Sequence, residues 1–236
     1  MEIIVWNVDT QNDFMNADGA LSVPDAVKTV GNLSRIFESA TKNSIPIYGS
    51  ADDHNEKSAE FSRNGGPFPD HCVRGTDGQL NIPETYLGSA KVGVLRWDSQ
   101  YGKEELAQKL NRPQVILTKD DNDVFTSPHI GVLLEKVPEN STIYVIGVAT
   151  EYCDRCAVVG LVKWSKSHNK NWTVAVVTDA IKEITEEGRA KAFEEFKDLG
   201  VKFVTTSEVL KQINAKSSEA TALKAAARAE SRMKIR

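Results

Sequence analysis

Six residues of four types in this chain could together do nucleophilic chemistry on a carbonyl: Asp9, Asp52, His54, His71, Lys119 and Cys153. Asp9 closes the apolar run Ile3 to Val8. Asp52, Asp53 and His54 come shortly after Ile45 to Gly49, Lys119 follows Gln114 to Thr118, and Gly147 to Cys153 follows Thr142 to Gly147. A thiol in the first turn of a helix beginning near Thr150 would gain from the positive end of the helix dipole, and free N–H groups there could hold an oxyanion. Lys119 would lower the thiol pKa further. Asp9 could take the thiol proton and later return it to a leaving ammonia. Of the four histidines, His54 and His71 fall in a long loop, and neither His129 nor His168 directly follows the strand before Cys153. A Cys–Lys–Asp set therefore fits better than a Cys–His dyad. The plainer alternative is that Cys153 is a small buried residue of helix packing.

Asp52-Asp53-His54 offers an Asp-x-His pair, and GGPFPDHC supplies His71. One carboxylate and two imidazoles leave open positions on a divalent metal. Loop histidines at a surface are the alternative reading. Phe14, Leu21, Phe68 and Tyr152 adjoin these motifs and could clamp a flat ring, or simply pack the core. Gln11 and Asn12 are read as ties for loops near Asp9, and Cys72 as packing before soft ligation. Cys153-Asp-Arg-Cys156 spells a Cys-x-x-Cys, which the hydrolytic surroundings make a poor redox pair.

These residues must be positioned by an α/β framework. The runs 3–8, 45–49, 114–118, 142–147 and 173–178 are rich in Ile and Val without polar alternation, as in parallel strands buried on both faces. Residues 201–204 make a sixth strand, and 90–95 a strand or an extended segment. Amphipathic stretches 25–42, 103–110, 152–166 and 186–198 lie between them, the last stopped by Leu199-Gly200. The expectation is a doubly wound α/β fold: a mostly parallel six-stranded sheet with helices on both faces. Ligands in such sheets sit beyond the carboxyl ends of the strands. Residues 50–89 form a long loop of Asp, His, Pro and Gly, of the kind that carries function. Residues 1–213 read as one domain and 214–236 as a tail, helical or disordered.

The motifs resemble the isochorismatase-like cysteine hydrolases, and the nicotinamidase/pyrazinamidase branch in particular. GVATEYC is similar to their nucleophile motif and VDTQNDF to their first-strand motif. The resemblance implies a catalytic triad of Asp9, Lys119 and Cys153, a cis peptide at Val148–Ala149, and an oxyanion hole from the N–H groups of Ala149 and Cys153. It places the metal ligands on Asp52, His54 and His71, with Glu60 as an additional ligand, direct or through water. It implies zinc first, with iron and manganese as alternatives, binding the pyridine nitrogen of the substrate. The implied reaction is hydrolysis of nicotinamide to nicotinic acid and ammonia through a Cys thioester. The departures are Glu151 where Asp is usual, Asp154 where an apolar residue is common, Phe68 for the Trp of GPWP, and an acidic run after Lys119. Two rivals stay open: an amidase for another small substrate of carbamoyl, maleamate or ureidoacrylate type, and a non-catalytic ligand-binding or scaffold protein. An isochorismatase acting on a vinyl ether is disfavoured, since that branch does not require the cysteine.

A net charge of −4 argues against nucleic acid as a partner. No apolar run approaches the roughly 20 residues of a spanning helix. The acid at position 2 and three cysteines suit a cytoplasmic, reduced protein. The expected partner is a small amide. Homo-oligomers are common for such sheets, but no face stands out.

Overall fold

The computed structural model describes residues 1–218. Seven parallel strands form one sheet in the order β3-β4-β2-β1-β5-β6-β7. They are β1 (Ile3–Val8), β2 (Ile47–Asp52), β3 (Val92–Leu95), β4 (Gln114–Lys119), β5 (Thr142–Val148), β6 (Thr173–Lys182) and β7 (Lys202–Val204). The count is seven, not the six expected. The four residues of β3 pair with β4 at the edge, where so short a run carries little sequence signal. β6 also runs four residues past the expected stop at Thr178.

Every residue of β1 is buried, because alternate side chains feed two different cores. Ile4, Trp6 and Val8 join one cluster, together with Ile143 and Val145 of β5. Ile3 and Val5 join the other, with Tyr144 and Ile146. The helices divide accordingly. Helix α2 (Val30–Lys42) brings Leu33, Ile36, Phe37 and Ala40 to the second core at helical spacing. Helices α5 (Cys153–Ser167) and α6 (Glu186–Asp198) cover the first, through Ala157, Val158, Leu161 and Phe196. Burial contributes about 1.5–3 kcal/mol for each large side chain, so truncating Leu33 to Ala would cost about 2–5 kcal/mol. The remaining helices are short: α1 (Asn12–Met15), α3 (Lys103–Leu110) and α4 (Ile130–Leu134).

Helix α6 stops where Leu199-Gly200 predicts. Gly200 is left-handed at φ 82°, and the Val201 N–H reaches back to the Phe196 carbonyl at 2.9 Å, a Schellman closure. The segment 25–42 opens as a 3-10 turn over Ala26–Thr29 before α2 begins. Residues 206–218 are helical and seat Val209 and Ile213 in the second core. The expected tail beyond residue 218 lies outside the described residues.

The chain leaves β1 over one face through α2 and leaves β5 over the other through α5. Strand order therefore reverses between β1 and β5. A crevice opens beyond their carboxyl ends, where an open sheet of this kind receives its ligand. At Gly147, φ is 124° and a Cβ would come 2.0 Å from the Val8 carbonyl oxygen. Only glycine lets β5 lie this close to β1 at the mouth of that crevice.

Candidate functional site

Four neighbouring strands, β4, β2, β1 and β5, each deliver a reactive side chain to this crevice. Asp52 and Lys119 end β2 and β4 in register with each other. Asp9 follows β1 with φ 45°, an uncommon left-handed turn for a non-glycine residue. Cys153 opens α5 after the loop from β5, three residues later than the helix start expected near Thr150. The Val148–Ala149 peptide in that loop is cis.

Lys119 is the hub. Its Nζ lies 2.9 Å from Asp9 Oδ2 and 3.6 Å from Cys153 Sγ, and it donates to Asp52 Oδ1. Ser50 Oγ donates to Asp9 Oδ1 at 2.7 Å. The contact of Lys119 with Asp9 Oδ2 is an ion pair without hydrogen-bond alignment, and that oxygen has no hydrogen-bond partner among the described residues. Asp9, Asp52 and Cys153 bring ligand atoms within 4.8 Å of one another. The cluster is buried, yet Cys153 keeps 9% exposure and lines the cleft.

Burial fixes the protonation pattern. It pushes the Asp9 carboxyl above its ordinary range, and Lys119 only partly offsets this. Burial works against the Lys119 ammonium, but Asp52, Asp9 and Cys153 hold it well above the usual lysine range. Burial also raises the Cys153 thiol; Lys119 pulls it down, while Asp9 and Asp52 push it up. The net result corrects the expectation of a lowered thiol pKa. Burial, the largest of these influences, outweighs the pull of the Lys119 ammonium, so the sulfur gains from a base that takes its proton.

The Cys153 N–H heads α5 and the Ala149 N–H follows the cis bond. Tyr152 and Asp154 donate to the Ala149 carbonyl at 3.0 and 3.2 Å, and no acceptor among the described residues takes the N–H of Ala149 or Cys153. Two donors thus stay free beside the sulfur.

Asp52, His54 and His71 form a second cluster, their ligand atoms within 4.8 Å of one another. Asp52 Oδ2 is 3.5 Å from His54 Nε2 and 3.7 Å from His71 Nε2. Glu60 Oε2 lies 3.7 and 3.9 Å from the same two nitrogens. The outer ring nitrogens fix the tautomers. His71 Nδ1 faces the Pro69 carbonyl at 2.8 Å, an acceptor only, so this nitrogen carries the proton. His54 Nδ1 meets Asp120 Oδ1 at 2.7 Å. Both Nε2 atoms then face Asp52 Oδ2, and the buried His54 Nε2 has no hydrogen-bond partner among the described residues. One carboxylate and two inward imidazoles, one nitrogen orphaned and one ring backed by a carboxylate, fit a divalent cation.

Both clusters open into one cleft, through Asp52, Glu60, His71 and Cys153. Phe14, Leu21, Phe68 and Tyr152, expected from their motifs, all line it, and so do Val148 and Ala149. Val23, Asn122 and Ile184 were not foreseen. The acidic run after Lys119 held the signal for Asn122, for each of its members has a local task. Asp120 backs His54, Asp121 accepts the Asp123 N–H at 2.9 Å, Asn122 lines the cleft, and Asp123 caps the turn at Phe125. Glu151, the departure before Tyr152, accepts the backbone N–H groups of Ile184 and Thr185 at 3.1 and 2.8 Å and so fixes the Ile184 wall. Gln11 grips the backbone of Asp52 and Gln79, and Asn12 that of Asp77, as loop ties. Cys72 is sealed in the core and stands apart from the Asp52–His54–His71 group. His129 and His168 contact other regions: His129 faces the carbonyls of Arg96 and Ser99, and His168 stacks on Trp164.

Asp154 is unusual. It is buried, neither carboxylate oxygen has a hydrogen-bond partner among the described residues, and burial with Asp9 and Glu151 nearby pushes it well above the carboxylate range. It is therefore a neutral acid.

No described helix is long and apolar enough to cross a membrane. The chain matches no curated protein at a significant level. Among solved structures it is similar to the pyrazinamidase of Pyrococcus horikoshii in complex with zinc, at 26% identity and a TM-score of 0.65, covering 87% of this chain and 99% of that one. The nicotinamidase PncA from Bacillus subtilis is similar in fold at 18% identity and a TM-score of 0.63, covering 86% of this chain and 99% of that one. So is the N-carbamoylsarcosine amidase from Thermoplasma acidophilum, at 19% identity and a TM-score of 0.62, covering 87% and 97%. The Isochorismatase domain family matches residues 3–208, nearly the whole described chain, so with its parallel sheet and its thiol at the strand-order reversal this protein belongs to the isochorismatase family of hydrolases.

Proposed function

We propose that the chain is a cysteine amidohydrolase that converts nicotinamide and water to nicotinic acid and ammonia. The carrying observation is that Lys119 joins the two clusters. One ammonium touches Asp9, Asp52 and Cys153, so the nucleophile and the cation-type donor set share one cleft with aromatic walls. A flat ring carrying a carboxamide, with a second donor on the ring, suits that pairing.

Asp9 takes the proton of the Cys153 thiol as the sulfur attacks the amide carbon. A raised carboxyl pKa makes Asp9 a better base and, once protonated, a usable acid. The oxyanion meets the free N–H groups of Ala149 and Cys153, with Lys119 balancing charge throughout. Asp9 returns the proton to nitrogen, the C–N bond breaks and ammonia leaves a thioester. Asp9 then takes a proton from water as its oxygen attacks the acyl carbon. The C–S bond breaks, the acid departs, and the sulfur recovers its proton from Asp9. Asp52, His54 and His71 would hold a divalent metal, zinc being the first expectation and the ion of the Pyrococcus horikoshii relative, with Glu60 close enough to assist. When bound, the ion supplies a Lewis-acidic anchor for a ring nitrogen.

A second reading is an amidase for another small amide, such as a carbamoyl compound. Asn122 favours it, as a neutral polar residue lining the cleft. Ammonia release from nicotinamide, pyrazinamide and N-carbamoyl amides, with and without chelator, separates the two. The first reading expects nicotinamide to lead, with chelation and His54→Ala each lowering its rate. Turnover of carbamoyl amides alone, indifferent to chelator, would establish the second.

A further inference from the structure

Asp53 stands between Asp52 and His54, yet its side chain serves a different cluster. It is fully buried and grips Arg74 with both oxygens, Nε to Oδ1 at 2.7 Å and Nη2 to Oδ2 at 2.8 Å. Arg96 Nη1 donates to Oδ2 at 3.1 Å and Gln79 Nε2 to Oδ1 at 2.5 Å. The Trp97 indole N–H donates to the Asp53 carbonyl at 3.0 Å, and the Asp53 N–H to the Lys119 carbonyl at 2.9 Å. Arg74 is tied outward in turn to Asp98 at 2.7 Å.

The same segments also carry the two imidazoles. The His54 N–H donates to the Cys72 carbonyl at 3.2 Å, and the Arg74 N–H to the His54 carbonyl at 2.8 Å. These two bonds lay residue 54 beside residues 72–74 and leave the rings of His54 and His71 4.7 Å apart between centroids. The Cys72 N–H is also held, by Asp13 Oδ2 at 2.7 Å. The Asp53–Arg74 fork closes the pair from the other side, since it joins the residue before His54 to the residue after Val73.

We propose that Asp53 and Arg74 form a latch that sets the spacing of Asp52, His54 and His71 and thereby their affinity for a divalent cation. Asp53 is a positioning residue: it acts through its neighbours in sequence and is aimed away from them. The inference rests on the cation-binding part of the proposed function and not on the identity of the amide.

The test is the Zn²⁺ affinity of the full chain, measured by competition with a chromophoric chelator, in wild type, Asp53→Asn and Arg74→Lys. Asp53→Asn is expected to weaken Zn²⁺ binding by about 10–100-fold. Arg74→Lys keeps the charge but loses the two-pronged geometry. It should weaken binding in the same direction by less, with a metal-free melting temperature near that of wild type. Should Asp53→Asn fail to fold, Arg74→Lys decides. Wild-type affinity in a folded variant, even one with lowered stability, would reduce the network to scaffolding and overturn the latch. A wild type that binds no Zn²⁺ overturns both the latch and the metal-assisted reading. A wild type that binds Zn²⁺, with weakened variants but no ammonia from nicotinamide, supports the latch and refutes only the substrate.

Discussion

Asp52 and Asp53 are adjacent, equally buried and both met by cations, yet they anchor clusters of opposite character. Around Asp53 every carboxylate oxygen is taken, by Arg74, Arg96 and Gln79. Around Asp52 the bonding is incomplete. Asp9 Oδ2 and His54 Nε2 are buried without hydrogen-bond partners among the described residues, and the sulfur of Cys153 sits beside one ammonium and two carboxylates. Proteins rarely leave buried polar atoms unsatisfied. One residue along the chain separates a cluster that is bonded to completion from one that keeps capacity for a substrate, a proton or a cation. Four substitutions test that contrast.

The largest effect should come from Cys153→Ala. Removing the nucleophile is expected to lower ammonia release from nicotinamide by at least about 10³-fold, while circular dichroism and melting stay near wild type. Sustained turnover would mean that the open cluster does not work through a covalent sulfur. Next is Lys119→Met. Without the ammonium, Asp9 and Asp52 face each other in a dry interior, so urea unfolding should register a loss of about 3–5 kcal/mol, along with lost activity. Unchanged stability would show that the cluster is not held together by this one cation.

Asp154→Val should act in the opposite sense, as it removes a carboxyl that is buried without partners. A stability gain of about 1–3 kcal/mol is expected at pH 7. The sign follows from linkage. Asp154 has a raised pKa when folded, so the folded state holds a proton that the unfolded state releases above the ordinary carboxylate value of 3.8. Its stabilising contribution is complete below that value and is lost as pH rises toward the folded pKa. The advantage of the valine variant should therefore shrink as pH is lowered through about 4. A gain independent of pH would point to packing alone. The smallest effect belongs to Arg96→Ala. Arg96 is 39% exposed at its side chain and makes one bond to Asp53, while Arg74 keeps its two-pronged grip. A loss of no more than about 1 kcal/mol is expected by thermal unfolding. A larger loss would show the closed cluster to be as fragile as the open one.

Much of this site was legible because its members follow strands. The apolar runs 3–8, 114–118 and 142–147 lead to the carboxyl edge of the sheet, and Asp9, Lys119 and Cys153 lie one, one and six residues further on. The four walls Phe14, Leu21, Phe68 and Tyr152 were visible as neighbours of motifs. Strand β3 was ambiguous because four residues at an edge, one of them Gly93, barely differ from a loop. Ile184 was missed because it reaches the cleft from a loop whose course is set by a distant bond, to Glu151.

Sequence alone determined which elements form and which residue types arrive at their ends, because hydrophobic periodicity and turn chemistry are local properties. Only the tertiary structure decided the charge states and the division between open and closed clusters. The thiol pKa expected to fall beside Lys119 is raised instead, first by burial and then by Asp9 and Asp52 in the same space. Two successive aspartates take different roles because their side chains enter different surroundings, Lys119 and two imidazoles for one, two guanidinium groups for the other. Desolvation and Coulomb energy depend on distances through space, and distance along the chain does not encode them.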